Sequence, residues 1–297
     1  MNHAWTLVCA WTALAPLQDP PPAPAPAAER PAEIVRLTAW PELPKDLQKT
    51  VETDIERLRK AHTEGMGEDA RAGLIAAGAA IVPELLPKLG KEKDAEARAR
   101  IEDVLNAVTG AEHTRLLAAR FADKAQAIRT YALGRASAFP DAGTRAEAEA
   151  ALARAAAVKE PKDEDRAEHL AAALAATAAG SLAGLDHLAL RAETSFGTEG
   201  ARMRRALEAV RGPEATAQLG AKLSGERAAR IAALNLLAGC GDASAKPLVK
   251  PFLDDNDNSV RIAAINALRG IVDGAPPLDK LPVFEAIEIA KEWKNRV

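Results

Sequence analysis

The stretch "PFLDDNDNSVRIAAINALRGI", residues 251–271, is compatible with two structures, a calcium-binding loop or a tight turn between two helices. Counted as an EF-hand loop from Asp254, it has oxygen-bearing side chains at the first, third and fifth ligand positions. That loop also needs glycine at position six and glutamate at position twelve, where this chain has Ser259 and Ile265. Because the two strictest requirements fail, the stretch favours the turn.

A turn at this point has a clear physical basis. Asp257 or Ser259 would accept hydrogen bonds from the free N–H groups of a helix that begins near Val260. An acidic side chain there also suits the positive end of the helix dipole. After Arg261 the apolar residues recur at helical spacing, so we expect a helix that follows a capped turn.

The composition of the 297-residue chain predicts an all-α protein. Hydrophobic residues make up 48% and aromatic residues only 3%, and alanine, the best helix former, dominates the apolar share. Few runs alternate β-branched and polar residues, so strands have little support. With 39 basic and 42 acidic residues, the net charge of -3 argues against a general nucleic-acid binder, and no nucleic-acid partner is expected.

The pattern around Arg261 recurs along the chain. Similar stretches are "DAEARARIEDVL" at 94–105, "KAQAIRTYAL" at 124–133 and "SGERAARIAALNLL" at 224–237, and weaker copies start at Arg71, Arg166 and Arg202. The repeated arginines lie 27 to 37 residues apart, a period typical of stacked helix pairs. Each unit consists of a glycine, a first helix, a polar turn and a second helix. Neither helix can bury its apolar face alone, so stacking of neighbours is expected.

This pattern resembles the HEAT-repeat family in its short bacterial form, over about residues 66–272. The resemblance lies in a proline inside the first helix (Pro83 and Pro247), an aspartate in the turn, and Val-Arg or Ala-Arg at the start of the second helix. It implies an α-solenoid of about six or seven HEAT-like helical hairpins over residues 43–297. It also implies a polar ladder that ties successive units together, formed by Asp94, Arg98, Arg129, Arg230, Asp257 and Arg261.

Both ends of the predicted solenoid carry candidate capping segments. The C-terminal stretch 276–297 places Leu281, Phe284, Ile287 and Trp293 at spacings that predict a helix covering the last unit. At the other end, Trp40 in "LTAWPELP" is expected to pack against the first unit.

The N-terminal region predicts export. Residues 4–15 are apolar, with the length of a signal-peptide hydrophobic region, and are too short to span a membrane. We therefore expect a signal peptide and the start of a Pro/Ala-rich linker over 1–28, and an extended linker over 29–42. This places the protein in the periplasm or cell envelope, with no membrane insertion beyond a signal anchor. The alternative is a misassigned start and a cytoplasmic scaffold.

The sequence contains two cysteines, Cys9 and Cys240. If a signal peptide containing Cys9 is removed, no internal disulfide can form. Cys240 has no histidine or second cysteine near it in the sequence, so we interpret it as a small apolar packing residue rather than a nucleophile.

Three acid–histidine dipeptides, at 112–113, 168–169 and 186–187, raise the question of metal binding. Deoxyhypusine hydroxylases, iron enzymes of the HEAT class, use His-Glu pairs on their second helices. Here the order is reversed, and only the 168–169 pair follows a repeated arginine. Since HExxH and CxxC motifs are also absent from the sequence, we expect no metal and no cofactor. A metal-dependent HEAT-type enzyme, hydroxylase- or lyase-like, is the alternative function.

The expected function is that of a non-catalytic scaffold or adaptor that binds a protein or peptide. In HEAT repeats the second helices line the concave side, and the residue two positions after the repeated arginine should point there. The resulting candidates for partner contact are Arg100, Tyr131 and Arg204. Arg204, in the most basic helix, is the best placed for an acidic partner.

Overall fold

The computed structural model describes residues 34–61, 64–278 and 280–297, and within them the chain is helical without strands. The expected all-α class is confirmed. The signal peptide and the linker up to residue 33 lie outside the described residues. The α-helices, numbered in chain order, are α1 (Lys45–Arg59), α2 (Glu64–Ala76), α3 (Val82–Lys91), α4 (Ala95–Val108), α5 (Thr114–Ala118), α6 (Gln126–Ala138), α7 (Arg145–Ala156), α8 (Asp163–Ala178), α9 (Leu185–Leu207), α10 (Pro213–Gly220), α11 (Arg227–Cys240), α12 (Lys246–Val249), α13 (Asn258–Leu268) and α14 (Val283–Arg296).

Most of these helices form pairs of chain neighbours that contact each other. The pairs are α1–α2, α3–α4, α5–α6, α7–α8, α10–α11 and α12–α13. The second helices also pack in succession, since α6 contacts α8, α8 contacts α9, α9 contacts α11 and α11 contacts α13. Several first helices are very short, and 3-10 turns such as Ala221–Ser224 and Lys250–Asp254 extend them.

One predicted unit differs from the others. Arg202 was expected to open a second helix, but it lies inside α9, a single helix of 23 residues. The apolar face continues through this helix at Leu188, Ala192 and Met203, which are all buried, and no proline interrupts it. Neither α9 nor any other single helix in the described part of the chain is long and apolar enough to cross a membrane. Within the described residues, the helical segments 67–76 and 78–91 are long and apolar enough only when taken as a pair, and their axes are bent by 111° at the break between them.

Small residues let consecutive helices approach closely. Gly270, in the turn that follows α13, packs against α11: a Cβ atom built there would lie 2.2 Å from the main-chain oxygen of Ala238. Around these close contacts the large apolar side chains, such as Ile101, Leu133 and Ile265, are completely buried. Packing of helices therefore forms the core.

The repeated arginine has a shared structural role in the four clear copies. Each guanidinium donates a hydrogen bond to a main-chain oxygen six or seven residues earlier, where the preceding helix or turn ends. Such oxygens have no partner inside their own helix, so the arginine satisfies them. The bonds run from Arg98 to Glu92 (3.1 Å), from Arg129 to Asp123 (2.9 Å), from Arg230 to Leu223 (3.1 Å) and from Arg261 to Asp255 (2.7 Å).

Aspartates of the turns cap the second helices. Asp94 accepts a hydrogen bond from the Ala97 amide at 2.7 Å at the start of α4. Asp257 does the same for α13, with bonds of 2.8 Å from the Ser259 amide and 3.2 Å from the Val260 amide. The "DDNDNS" stretch is therefore a capped turn, and the helix begins at Asn258, two residues before the expected position.

Ion pairs join successive units, although not all through the expected partners. Asp257 pairs with Arg227 of the preceding unit at 2.5 Å instead of with Arg261. Arg230 reaches Asp255 of the next unit at 3.3 Å, and Arg129 reaches Glu168 of the next unit at 2.7 Å. Within the described residues, Arg98 and Arg261 make their hydrogen bonds inside their own unit.

The compact unit begins at Ile34 rather than at residue 43, because part of the expected linker packs onto it. The Leu37 amide donates to the Glu112 oxygen at 2.9 Å, and the Trp40 ring stacks on His113 with ring centroids 5.2 Å apart. The hydrogen bond and ring stacking of the segment before α1 reach the turn before α5, in the third helix pair, and not the first unit that Trp40 was expected to cover.

At the C-terminus, α14 packs on α13 as expected, and of the residues expected in the covering face Trp293 is buried and Leu281 packs against the core. The buried residues of α14 are Ala286, Ala290 and Trp293. Phe284, expected in the covering face, is 75% exposed. The spacing of four and three residues from Ala286 to Trp293 decides the orientation, since alanines allow closer approach than phenylalanine would.

Replacing Arg129 tests the contacts between units. Glu168 is 4% exposed, and Arg129 binds both of its carboxylate oxygens at 2.7 Å. Arg129→Met keeps the aliphatic stem but leaves this buried carboxylate short of a partner, so we expect the free energy of unfolding to fall by about 3 kcal/mol. Urea denaturation followed by circular dichroism measures it.

Arg154→Met is the matched control. Arg154 also contacts Glu168, at 3.3 Å, but its side chain is 40% exposed. We expect a loss below about 1 kcal/mol for this variant. Equal losses for the two variants would contradict the assigned role of Arg129.

Candidate functional site

The main candidate site is a groove of about 640 Å³ formed by the C-terminal half of α9, by α11 and by α13. Phe196 and Arg204 of α9 line one wall. Ile231 and Asn235 of α11 lie beside Ile262 of α13. The segment that follows α13 supplies the opposite wall, with residues 277, 278, 280 and 281. The volume lies within the range of about 300–1,000 Å³ that is usual for ligand-binding clefts.

The groove combines an apolar surface with positive charge. Of the described residues that line it, only Arg204 and Lys280 are charged, and both are cationic. The Arg204 guanidinium lies 5.6 Å from the centre of the Phe196 ring, which fixes its position by a cation–π contact. Gly200 lies between them on the same helix face and leaves room for the ring. Within the described residues, Arg204 makes no ion pair.

One side of the groove already holds a piece of main chain. The buried Asn266 side chain donates to the Leu278 oxygen at 3.0 Å and accepts from the Leu278 amide at 2.7 Å. This amide side chain therefore pairs with both main-chain groups of one residue, as a neighbouring strand does in a sheet. Asn258 adds a bond of 3.4 Å to the Leu281 oxygen. The segment after α13 is thus held by side-chain amides on α13.

A second asparagine occupies the corresponding position one unit earlier. Asn235 ends the sequence "IAALN" at 231–235, and Asn266 ends "IAAIN" at 262–266, so the two lie 31 residues apart. Asn235 is partly exposed in the groove, and its side chain makes no hydrogen bond to any described residue. Sequence reasoning missed this pair, although the repeat of "IAA" plus asparagine after the arginine was a usable signal.

The three residues expected to contact a partner have different environments. Arg204 lines the groove. Arg100 instead donates to the main-chain oxygens of Leu58 at 2.9 Å and Arg59 at 3.1 Å, so it holds the C-terminal end of α1. Tyr131 is only 7% exposed and its hydroxyl lies 3.0 Å from the Thr109 hydroxyl. Burial raises the pKa of Tyr131 to about 12. Tyr131 is therefore a packing residue rather than a surface contact.

Two of the acid–histidine dipeptides meet in the structure. The rings of His169 on α8 and His187 on α9 are stacked with centroids 3.5 Å apart. Their neighbouring acids point elsewhere: Glu168 binds Arg129, and Asp186 binds Lys222 at 2.8 Å. Among the described residues, no group of three or more His, Cys, Asp or Glu side chains is arranged to hold a metal ion.

The histidine pair lies in a positively charged, partly buried setting. The pKa of His187 is lowered to about 4, chiefly by burial and to a smaller extent by the neighbouring His169 and Arg191. Burial and Arg191 also lower the pKa of His169. The Nε2 atom of His187 and the Nε atom of Arg191 are both buried, and neither has a hydrogen-bond partner among the described residues. The pair is therefore held in its neutral form at neutral pH.

Cys240 is completely buried near the C-terminal end of α11. Its Sγ donates to the Leu236 oxygen at 3.4 Å, and burial raises its pKa to about 12. A thiol in this environment stays protonated, which agrees with a packing role and not with nucleophilic chemistry.

No protein-family model matches the chain, and no curated protein matches it either. The repeated arginines, turn aspartates and prolines are thus the basis of the resemblance to HEAT repeats.

Asn266→Ala tests the hold on the segment after α13. The substitution removes both bonds to Leu278, so we expect faster amide hydrogen exchange in peptides that cover residues 275–282 and a stability loss of about 1–3 kcal/mol. Hydrogen exchange with mass spectrometry measures the first effect. Asn235→Ala is the control, since it should leave exchange in that segment unchanged. Unchanged exchange in Asn266→Ala would contradict the contact.

The histidine pair predicts how stability depends on pH. An unfolded-state histidine has a pKa near 6.5, whereas that of His187 in the folded state is about 4. The unfolded chain binds the proton first, so stability is fully present above about pH 6.5 and is lost as pH falls towards 4.

Comparison of wild type with His187→Gln isolates this contribution. The stability advantage of wild type over the variant should shrink by at most about 3 kcal/mol between pH 7 and pH 4. Urea denaturation at four pH values across this range is the measurement. Parallel pH profiles would show that His187 keeps its ordinary pKa in the folded protein.

Proposed function

We propose that this chain is a non-catalytic scaffold or adaptor, built from HEAT-like helical hairpins, that binds a protein or peptide. The observation that carries the proposal is the open cationic groove between α9, α11 and α13, which is lined by equivalent positions of consecutive units. Repeated helix pairs present such surfaces because each unit adds one helix to the same side.

The solenoid arrangement is supported by the order of helix contacts. Second helices contact the second helices next to them along the chain, and each pair contains the same arginine-to-carbonyl bond in its clear copies. We infer six helix pairs, with α9 as a fused unit that has lost its internal turn. α14 acts as the C-terminal cap, which prevents exposure of core at that end.

A binding role for the groove is supported by its unsatisfied chemistry. Arg204 has no ion pair within the described residues, and Asn235 has no hydrogen bond there. These polar groups lie next to Ile231, Ile262 and Phe196, which are all partly exposed. A surface that combines apolar contacts with unpaired donors is suited to a partner with complementary groups.

Export to the periplasm or cell envelope is part of the proposal. Its support is the apolar stretch 4–15 and the Pro/Ala-rich spacer 16–31, both of which lie outside the described residues. The cytoplasmic scaffold with a misassigned start is the alternative, and it would use the same groove.

One observation favours the metal-dependent HEAT-type enzyme, hydroxylase- or lyase-like, as a second candidate. His169 and His187 lie together, as ligands on adjacent helices would. The carboxylates next to them are bound to Arg129 and Lys222. The histidine and carboxylate ligands of a hydroxylase-like iron site are therefore not brought together. The groove therefore supports the scaffold function better than the histidine pair supports an enzyme.

Reversal of one charge in the groove tests the scaffold function. The full chain with a C-terminal affinity tag is treated with a crosslinker in the envelope fraction of the source cells, and captured proteins are identified by mass spectrometry. We expect a reproducible partner whose yield falls about tenfold or more in Arg204→Glu, because the reversed charge repels an acidic partner.

Arg205→Glu is the matched control, since Arg205 is the exposed neighbour on α9, lies outside the groove lining and undergoes the same charge change. It should leave the yield unchanged. Equal loss in the two variants would place the contact elsewhere, and capture of no partner at physiological salt would contradict the scaffold function.

A further inference from the structure

Asn266 shows how this surface binds main chain. Its side-chain amide pairs with the N–H and C=O groups of Leu278, while Asn258 donates to the Leu281 oxygen. The chain thus supplies its own strand-like segment to the face of α13. The contact uses no side chain of Leu278, so it would serve a segment of any sequence that exposes both main-chain groups.

The face of α11 repeats this arrangement without an occupant from the described residues. Asn235 follows "IAAL" as Asn266 follows "IAAI", and both lie five residues after a repeated arginine. The two arginines make the same bond to the end of the preceding helix or turn, which gives the two second helices the same setting. Asn235 is therefore placed on α11 as Asn266 is placed on α13.

We propose that the groove binds an extended acidic peptide segment of a partner protein, with Asn235 pairing to the main chain of one peptide residue as Asn266 pairs to Leu278. The segment would lie on α11, between the Phe196 wall and the segment after α13. This inference rests on the scaffold function proposed above and adds to it the conformation and the charge of the ligand.

The acidic character follows from the walls of the groove. Arg204 and Lys280 are its charged residues among those described, and Arg204 is held over the Phe196 ring rather than by a carboxylate. A carboxylate of the peptide would complete a charge-assisted bond with the Arg204 guanidinium. The apolar side chains of the peptide would lie on Ile231 and Ile262, which line the same groove.

A peptide suits the groove better than a simple anion does. The Asn235 side chain offers one donor and one acceptor in a fixed plane, and a main-chain residue in extended form offers the complementary acceptor and donor. A simple carboxylate satisfies the arginine but lacks the donor that pairs with the amide oxygen, and an inorganic phosphate makes no contact with Ile231 and Ile262 through apolar side chains.

The test begins with a displayed library of random 12-residue peptides, selected on the full-length protein at physiological salt. Enriched peptides are synthesised with a fluorophore, and dissociation constants are measured by anisotropy. We expect the enriched peptides to contain aspartate or glutamate. Replacement of that residue by its amide should weaken binding, and the loss should disappear in Arg204→Ala.

Asn235→Ala then tests the main-chain contact. Loss of two hydrogen bonds should weaken binding about tenfold or more. Asn106→Ala is the matched control, since Asn106 is an exposed asparagine on α4 that lies outside the groove lining. Because a side-chain loss alone could act indirectly, each peptide nitrogen is also N-methylated in turn. N-methylation at one position should weaken binding to the wild-type protein about tenfold. The same methylation should hardly change binding to Asn235→Ala, which has already lost the contact.

The outcomes separate this inference from the scaffold function. Peptides that bind with equal affinity to wild type and Asn235→Ala, or that lose affinity equally in both on N-methylation, would overturn the main-chain contact and leave protein binding intact. Enrichment of basic or purely apolar peptides would overturn the acidic assignment. Failure to enrich any peptide would overturn the inference, whereas the scaffold function is decided by the crosslinking result at Arg204.

Discussion

A guanidinium bound to the main-chain oxygen that ends the preceding helix or turn is the contact on which the repeated units depend. The first helices are too short to be stable alone: α5 has five residues and α12 has four. The turns that follow these helices end in main-chain oxygens that the next arginine binds, at Asp123 for Arg129 and at Asp255 for Arg261. The bond therefore joins the end of each connecting turn to the second helix that follows it. Removal of the arginine would leave this main-chain oxygen without its side-chain donor.

Local pattern was enough to predict the helical class and most of the turns. The aspartate caps at Asp94 and Asp257 and the repeated arginines involve residues within about seven positions of one another, so a single sequence contains the information. The same pattern wrongly predicted the start of a helix at Arg202, which lies inside α9. Whether a helix continues depends on how its buried face packs, and the position of an arginine contains no information about that packing.

Contacts between units were harder to predict than contacts within them. Tyr131 occupies the expected position after its arginine, but Thr109, from the preceding unit, draws its hydroxyl into the core. Asp257 finds Arg227 from 30 residues away, and α14 turns its alanines inward while Phe284 stays exposed. The groove likewise depends on three helices that meet only after folding. Its asparagines were visible in the sequence, but their pairing role required the position of Leu278.

Packing between near neighbours in the chain also determines how the molecule opens. The proposed solenoid would be held mainly by contacts between helices that are near neighbours in the chain, so it would unfold from its ends while its middle stays intact. The groove lies close to the C-terminal end, where α13 contacts α14 and the segment that Asn266 holds. An occupant of the groove would bridge α9, α11 and α13 and raise the free energy of local opening at that end. Binding in the groove would therefore make the last helices more resistant to proteolysis, without any change in their conformation.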